Sequence, residues 1–194
     1  IGVLVEAFVP RGPRRLTQVV LSIVAVSAAL VAVVWRYTVV LSSGPSTVFE
    51  DSFKEDGPAL IAQMILLVIG FISLLVIADR SETGDGAFVA SAATRPGSEE
   101  ESDATEAGLV QSEVYPLVLF SMLGMMVFTG ASSLVTLFVA LEVLSLPLYV
   151  LTGMARRRRL LSQEASLKYF LLGAFSSALM LFGITMLYGY SGTF

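Results

Sequence analysis

Residues 132–154, SSLVTLFVALEVLSLPLYVLTGM, and residues 162–190, SQEASLKYFLLGAFSSALMLFGITMLYGY, decide how the rest of the chain is read. Each is an apolar run long enough to cross a bilayer, since about 20 residues rising about 1.5 Å each span roughly 30 Å of hydrocarbon. The basic turn Arg156-Arg157-Arg158-Arg159 separates them. The first run carries one carboxylate, Glu142, and the second carries one amine near its start, Lys168. An ionisable group inside such a run is costly, so it marks a functional site by default.

Composition extends this reading to the whole chain. Of 194 residues, 55% are hydrophobic and 14% charged, against roughly 25% charged in a soluble domain. The mean hydropathy is +0.81. The apolar residues come in blocks of membrane-spanning length, which predicts an all-α, polytopic helical membrane protein. With no Cys and no His, a Cys/His metal site, a disulfide, haem ligation by His and thiol chemistry are excluded. No acidic cluster sits inside a span, so no metal site is expected. Nothing points to nucleic acid.

Working outward, residues 1–9 read as the tail of a helix ending at Pro10, and a chain that opens on Ile1 inside an apolar run is expected to be a fragment. Glu6, four residues before Pro10, is expected at the membrane interface within reach of water. Gly12 and Pro13 should break the helix before a second run, Leu16 to Trp35, closed by the interface anchor Trp35-Arg36-Tyr37. A polar loop leads to Gly57-Pro58 and a third run, Ala59 to Ala78. Residues 79–112, rich in Ser, Ala, Gly, Glu and Asp, are predicted to be a flexible acidic linker, because they cannot bury enough apolar surface to offset their ordering entropy. The fourth run, Val114 to Gly130, meets the fifth across a few small residues, which requires a tight antiparallel hairpin. The sixth contains Gly173, Ser176, Ser177 and Gly183, small residues that let helices approach closely. The domain organisation expected is 1–78 (a partial first helix and two more), 79–112 (linker) and 113–194 (core helices with Glu142 and Lys168).

Loop charge sets orientation. The loops after runs one, three and five hold nine Lys and Arg residues, including Arg156 to Arg159, whereas the loops after runs two and four hold Arg36 and Lys54 only. The first set, with linker 79–112, is therefore expected in the cytoplasm. The arginine cluster itself reads as a topology signal and a contact for anionic lipids.

Glu142 falls near the bilayer midplane, where an ionised side chain costs about 2.5–3.5 kcal/mol on insertion scales. It should face a bundle interior or a water-filled cavity. A carboxyl that takes and releases a proton there is what a relay needs; the alternative is a hydrogen-bonded Glu that only holds helices together. Pro147, five residues on, removes a backbone hydrogen bond to Val143 and kinks the helix beside Glu142. Lys168 lies about 8 Å inside the cytoplasmic boundary and about 10 Å from the level of Glu142, too far for a direct ion pair. Its local partner is Glu164, one turn earlier in the favourable order. Lys168 is either a snorkelling lysine tied to Glu164 or a station on a polar path from the cytoplasm to Glu142.

The segments LFVALEVLSLPLYVLTG (137–153) and EASLKYFLLGAFSSALMLFGITMLYGYSGT (164–193) resemble the antiporter-like membrane subunits of respiratory complex I, most closely their subunit N branch. The resemblance runs from about Tyr115 to Phe194, and EDGPALIAQMILLVIGFISLLVIADR (55–80) fits more loosely. It implies a membrane-arm subunit of proton-translocating NADH–quinone oxidoreductase, in the bacterial plasma membrane, that couples quinone reduction elsewhere to proton transfer. It implies that Glu142 belongs to the charged pair of the channel and that Lys168 is a further charged residue of the polar path. It also implies no cofactor in this chain, with NADH, flavin, iron–sulfur clusters and quinone held by partner subunits of a hetero-oligomer surrounded by lipid. Members carry further helices, including the broken one whose lysine partners the Glu, so the chain is expected to be an N-terminal portion of a larger antiporter-like bundle. The alternatives are a cation/proton antiporter subunit and a membrane scaffold without transport.

Overall fold

The computed structural model describes residues 1–79, 88, 98–106, 112–155 and 159–192; for residues 11, 12, 101, 104–106 and 159 the description is of the backbone alone. Most of the acidic linker and Arg156 to Arg158 lie outside the described residues.

The chain opens with a short helix, α1 (Gly2–Phe8), and turns at Pro10 into α2 (Arg11–Ser43). Gly12 and Pro13 do not break the chain, as the sequence had suggested. Pro13 falls in the first turn of α2, where its missing N–H would have no intrahelical partner in any case. Nor does α2 stop at Trp35. It runs eight residues further, because Val40 continues the buried series Val26, Val33, Val40, spaced by seven. The helix ends at Gly44, whose φ of 87° is open to glycine at little cost and whose N–H caps Val40 O at 2.9 Å.

Where the sequence suggested only a polar loop, two short antiparallel strands form, β1 (Ser46–Val48) and β2 (Phe53–Glu55), with Thr47 opposite Lys54. Three consecutive residues at their turn, Phe49, Glu50 and Asp51, have positive φ. Contacts from elsewhere hold this hairpin. The Arg36 guanidinium pairs with the Glu55 carboxylate, the Phe53 ring lies against Gly130, and Ser132 N–H donates to Ser52 O at 3.1 Å.

Helix α3 (Gly57–Ala78) starts at an Asp56 cap, whose carboxylate accepts from Ala59 N–H at 3.0 Å. That hydrogen bond, aided by the Lys54 ammonium at 3.2 Å, holds the Asp56 carboxyl below its ordinary value; its slight burial acts the other way and is outweighed. Within the acidic segment a short helix, α4 (Glu99–Glu106), forms, with three glutamates in the first turn where the helix dipole favours negative charge. Three apolar helices follow: α5 (Val114–Gly130), α6 (Leu134–Gly153) and α7 (Arg159–Ser191). Ser133 caps α6 through Thr136 N–H at 3.1 Å.

Packing runs α2–α3–α5–α6–α7, with α5 in the middle and α7 resting on α6. Leu60, Leu67 and Leu74 of α3 repeat the spacing of seven seen on α2, and Tyr115 and Met122 of α5 complete the cluster. Such a repeat is what nearly parallel helix axes need to keep one seam in contact. The β hairpin and the α5–α6 turn share one end of the bundle. At the other end Arg15 donates to Ala78 O at 2.8 Å, and Phe88 bridges Ala155. Large apolar side chains cover the outside: Val31, Val76, Leu172 and Phe175 are all exposed. Among the described residues four helices are long and apolar enough to cross a membrane, and α5 is a shorter apolar helix. This inside-out distribution is that of a polytopic helical membrane protein, the class the sequence indicated.

Candidate functional site

Glu142 sits eight residues after Leu134 and eleven before Gly153. At about 1.5 Å per residue these are roughly 12 and 17 Å, so the carboxyl lies near the middle of α6. Pro147 is buried one and a half turns further along, and having no N–H it leaves Val143 O without its usual donor.

The neighbours of α6 fix which way Glu142 faces. On one side α5 makes a backbone-to-backbone contact at Gly124, where an added Cβ would lie 2.4 Å from Leu144 N and 2.9 Å from Ala140 O. One turn earlier Ser121 Oγ donates to Leu144 O at 3.0 Å. On the other side Tyr149 packs into α7. Its ring meets Tyr169 edge-on at 4.6 Å and Phe170 at 5.7 Å, its hydroxyl fills the space a Cβ on Gly173 would take, and its carbonyl accepts from Ser166 Oγ at 2.6 Å. Glu142 precedes Tyr149 by seven residues, two turns along the same face. It therefore lies over the stretch of antiparallel α7 near Ser177 and Met180, which are covered while their neighbours are exposed.

Glu142 is half-buried, and one of its carboxylate oxygens, Oε1, is buried with no hydrogen-bond partner among the described residues. An orphaned carboxylate oxygen in mid-helix is costly when ionised, and a proton or a cation removes that cost. An open, mostly apolar groove of about 350 Å³ lies between α6 and α7, with Val150, Leu167 and Phe170 in its lining beside the polar Gln163 and Ser166, on the Arg159 side of Glu142.

Lys168 is elsewhere. Its ammonium binds Glu164 Oε1 at 2.5 Å, and its side chain is 69% exposed. It stands about 200° around α7 from Ser166, opposite the face that meets α6. The level of Glu142 is about ten residues further along α7, so the axial separation is about 15 Å rather than the 10 Å counted from sequence. The structure does not bring Glu142 and Lys168 together.

The sequence named Gly173 as a place of close helix approach, and missed the other residues that orient Glu142: Ser121, Gly124, Tyr149 and Ser166. It also missed the partners of Glu6. That side chain is only 15% exposed, because α2 begins early enough to set Arg14 at 3.5 Å and the Gln18 amide at 2.8 Å against its carboxylate. The spacing of four from Arg14 to Gln18 to Ser22 was the available signal. Among the described residues no group of three or more acidic side chains is placed to hold a metal ion.

Comparison with known proteins fits this geometry. Residues 131–194, which contain α6 and α7, match the family described as "NADH:quinone oxidoreductase/Mrp antiporter, TM". NADH-quinone oxidoreductase subunit N of Beutenbergia cavernae is 58% identical over 200 residues, covering 100% of this chain and 38% of the relative. The subunit N of Thermobifida fusca is 52% identical over 193 residues, covering 99% and 35%. In the structure of respiratory complex I from Thermus thermophilus with bound aureothin, one chain superposes with a TM-score of 0.69 at 25% identity, over 99% of this chain and 35% of that one. The chain thus spans a little over a third of the length of the curated relatives it matches. By sequence along its whole length and by fold, it resembles the N-terminal portion of NADH-quinone oxidoreductase subunit N.

Proposed function

We propose that this chain is part of a proton-translocating membrane-arm subunit of NADH–quinone oxidoreductase, in which Glu142 takes up and releases a proton in the middle of the membrane. The observation that carries the proposal is the Glu142 carboxyl: central in α6, with one oxygen buried and unpartnered among the described residues. The similarity to subunit N supplies the setting. Quinone reduction by partner subunits, which hold NADH, flavin and iron–sulfur clusters, drives the transfer, and this chain supplies the path.

In this reading each neighbour has a task. Pro147 frees the Val143 carbonyl to meet a neighbouring group or water at membrane depth. The Tyr149–Gly173 and Gly124–Leu144 contacts hold α6 in one rotation, so the carboxyl stays turned toward α7. Water approaches from the Arg159 end, past the polar Gln163 and Ser166 of an otherwise apolar groove. Lys168, with Glu164 beside it, is a station on the other face of α7, away from this groove, and proton transfer between it and Glu142 over about 15 Å passes through water rather than through a salt bridge. The organisation follows: helices of 1–78, an acidic linker of 79–112 and path helices of 113–194. The linker and Arg156 to Arg159 face the cytoplasm of a bacterial plasma membrane, and other membrane-arm subunits and lipid cover the outside.

A second reading, a cation/proton antiporter subunit, is favoured by the breadth of the matched family, whose description includes Mrp antiporters. The two are separated by isolating the full-length protein from its native membrane. Flavin- and iron–sulfur-containing partners in the same particle support the first reading, and their absence from an intact, active particle supports the second. Within either, Glu142→Gln tests the carboxyl.

A further inference from the structure

We propose that the crossing of α1, α2 and α5 is a binding site for an ordered water molecule. The water is held between the Gln18 side-chain oxygen and the Ser22 hydroxyl, and is linked through the Gln18 amide to the Glu6 carboxylate. Gln18 and Ser22 are one turn apart on α2, and both are 0% exposed.

The Gln18 amide can point only one way. Its nitrogen donates to Gly2 O at 2.7 Å and to Glu6 Oε1 at 2.8 Å, which uses both hydrogens. Turning the amide over would set its oxygen against two acceptors. Oε1 is therefore left inside the bundle, and no described residue donates to it.

Ser22 is a buried helical hydroxyl that does not bond back along its helix. The hydroxyls of Thr17, Ser43, Ser73, Thr152 and Thr185 each donate to the carbonyl four residues back, at 2.7 to 3.0 Å. The Ser22 hydroxyl does not, and it meets no other partner among the described residues. Two buried polar atoms one turn apart are thus left, one able only to accept and one able to donate or accept. Gln18 and Ser22, four apart, lie on one face of α2, and a water can accept from or donate to a hydroxyl while donating to an amide oxygen.

The surroundings select a small neutral ligand. The nearby charges already neutralise each other, since Arg14 pairs with Glu6 at 3.5 Å and also donates to Val9 O. Pro116 of α5 forms a wall with no N–H to offer. Gly2 forms another, where an added Cβ would come within 3.2 Å of Pro116 Cβ and 3.4 Å of Gln18 Oε1. One turn beyond Ser22 the buried Val26 closes the site with apolar core. The Glu6–Arg14 pair leaves no uncompensated charge among these side chains to attract an ion.

The test is a cryo-electron microscopy map of the full-length protein in a lipid nanodisc, at a resolution that shows ordered water. The expected result is a discrete peak within hydrogen-bonding distance of both Gln18 Oε1 and Ser22 Oγ, retained in Ser22→Thr and lost in Ser22→Ala. Three results would overturn the proposal: no peak, with the Ser22 hydroxyl turned onto the Gln18 backbone carbonyl; a protein side chain filling the space; or a peak unchanged in Ser22→Ala. The wild-type map alone decides the matter if a variant fails to assemble.

Discussion

Replacing Gly124 by alanine adds one methyl group at the closest approach of α5 and α6, and its effect can be worked from the geometry. The new Cβ would lie 2.4 Å from Leu144 N, 2.7 Å from Leu144 Cα and 2.9 Å from Ala140 O. All three are backbone atoms of α6, so no rotamer change relieves the clash. Restoring ordinary contact requires α5 to retreat by about 1 Å, an overpacking that costs about 1–3 kcal/mol. The same retreat stretches the Ser121–Leu144 hydrogen bond from 3.0 Å to beyond bonding reach, which adds about 1 kcal/mol. Better helix propensity of alanine returns up to about 1 kcal/mol. The net loss expected is therefore about 1–3 kcal/mol, measured by equilibrium unfolding of the full-length protein in mixed micelles. Gly57→Ala is the control: a Cβ there meets nothing within 4 Å, so stability should stay within about 0.5 kcal/mol. If Gly124→Ala is as stable as Gly57→Ala, the α5–α6 contact does not hold α6 as described, and the orientation argued for Glu142 loses its support.

Asp56→Ala should cost about 1 kcal/mol through loss of the α3 cap. Because the folded state holds the Asp56 carboxyl below its ordinary value, its contribution is full above the unfolded value of about 3.9 and is lost as pH falls through the lowered folded value; stability measured against pH should show a shallower acid limb in Asp56→Ala, and an unchanged one would contradict the assignment. Lys168→Met should leave stability unchanged, since the Lys168–Glu164 pair is exposed, while slowing proton pumping; full pumping would remove Lys168 from the path. These 194 residues contain no Cys, so in the full-length protein, with any cysteines outside them replaced, Arg157→Cys reports sidedness. Labelling by an impermeant thiol reagent only from the cytoplasmic side is expected, and labelling only from outside would invert the topology.

Apolar run length was enough to read α5 from Val114 to Gly130, because nothing but the α5–α6 turn competes to end it. The same signal failed at α2. Trp35-Arg36-Tyr37 looks like an interface anchor, yet the spacing of seven that ends in Val40 binds the next two turns to α3. The β hairpin could not be read locally, since Phe49, Glu50 and Asp51 take positive φ with no glycine at the turn. Arg36, Gly130 and Ser132, all distant in sequence, hold it. Depth counting placed Glu142 and separated it from Lys168. The face of α6 that carries Glu142 was not legible, because Gly124, Tyr149 and Gly173 decide it and each looks like ordinary packing in a run of apolar and small residues. The Glu6–Gln18–Ser22 cluster was half legible, since the spacing of four from Arg14 to Gln18 to Ser22 marks one face of α2 but not whether that face meets lipid or core.

The central claim is that the Glu142 carboxyl carries the proton, and the most direct measurement is proton pumping per NADH oxidised by the assembled full-length enzyme carrying Glu142→Gln, with Glu142→Asp beside it. The glutamine keeps the shape and removes the titratable group. The account predicts normal assembly with pumping abolished in Glu142→Gln and partly retained in Glu142→Asp; unchanged pumping in a normally assembled Glu142→Gln enzyme would contradict it.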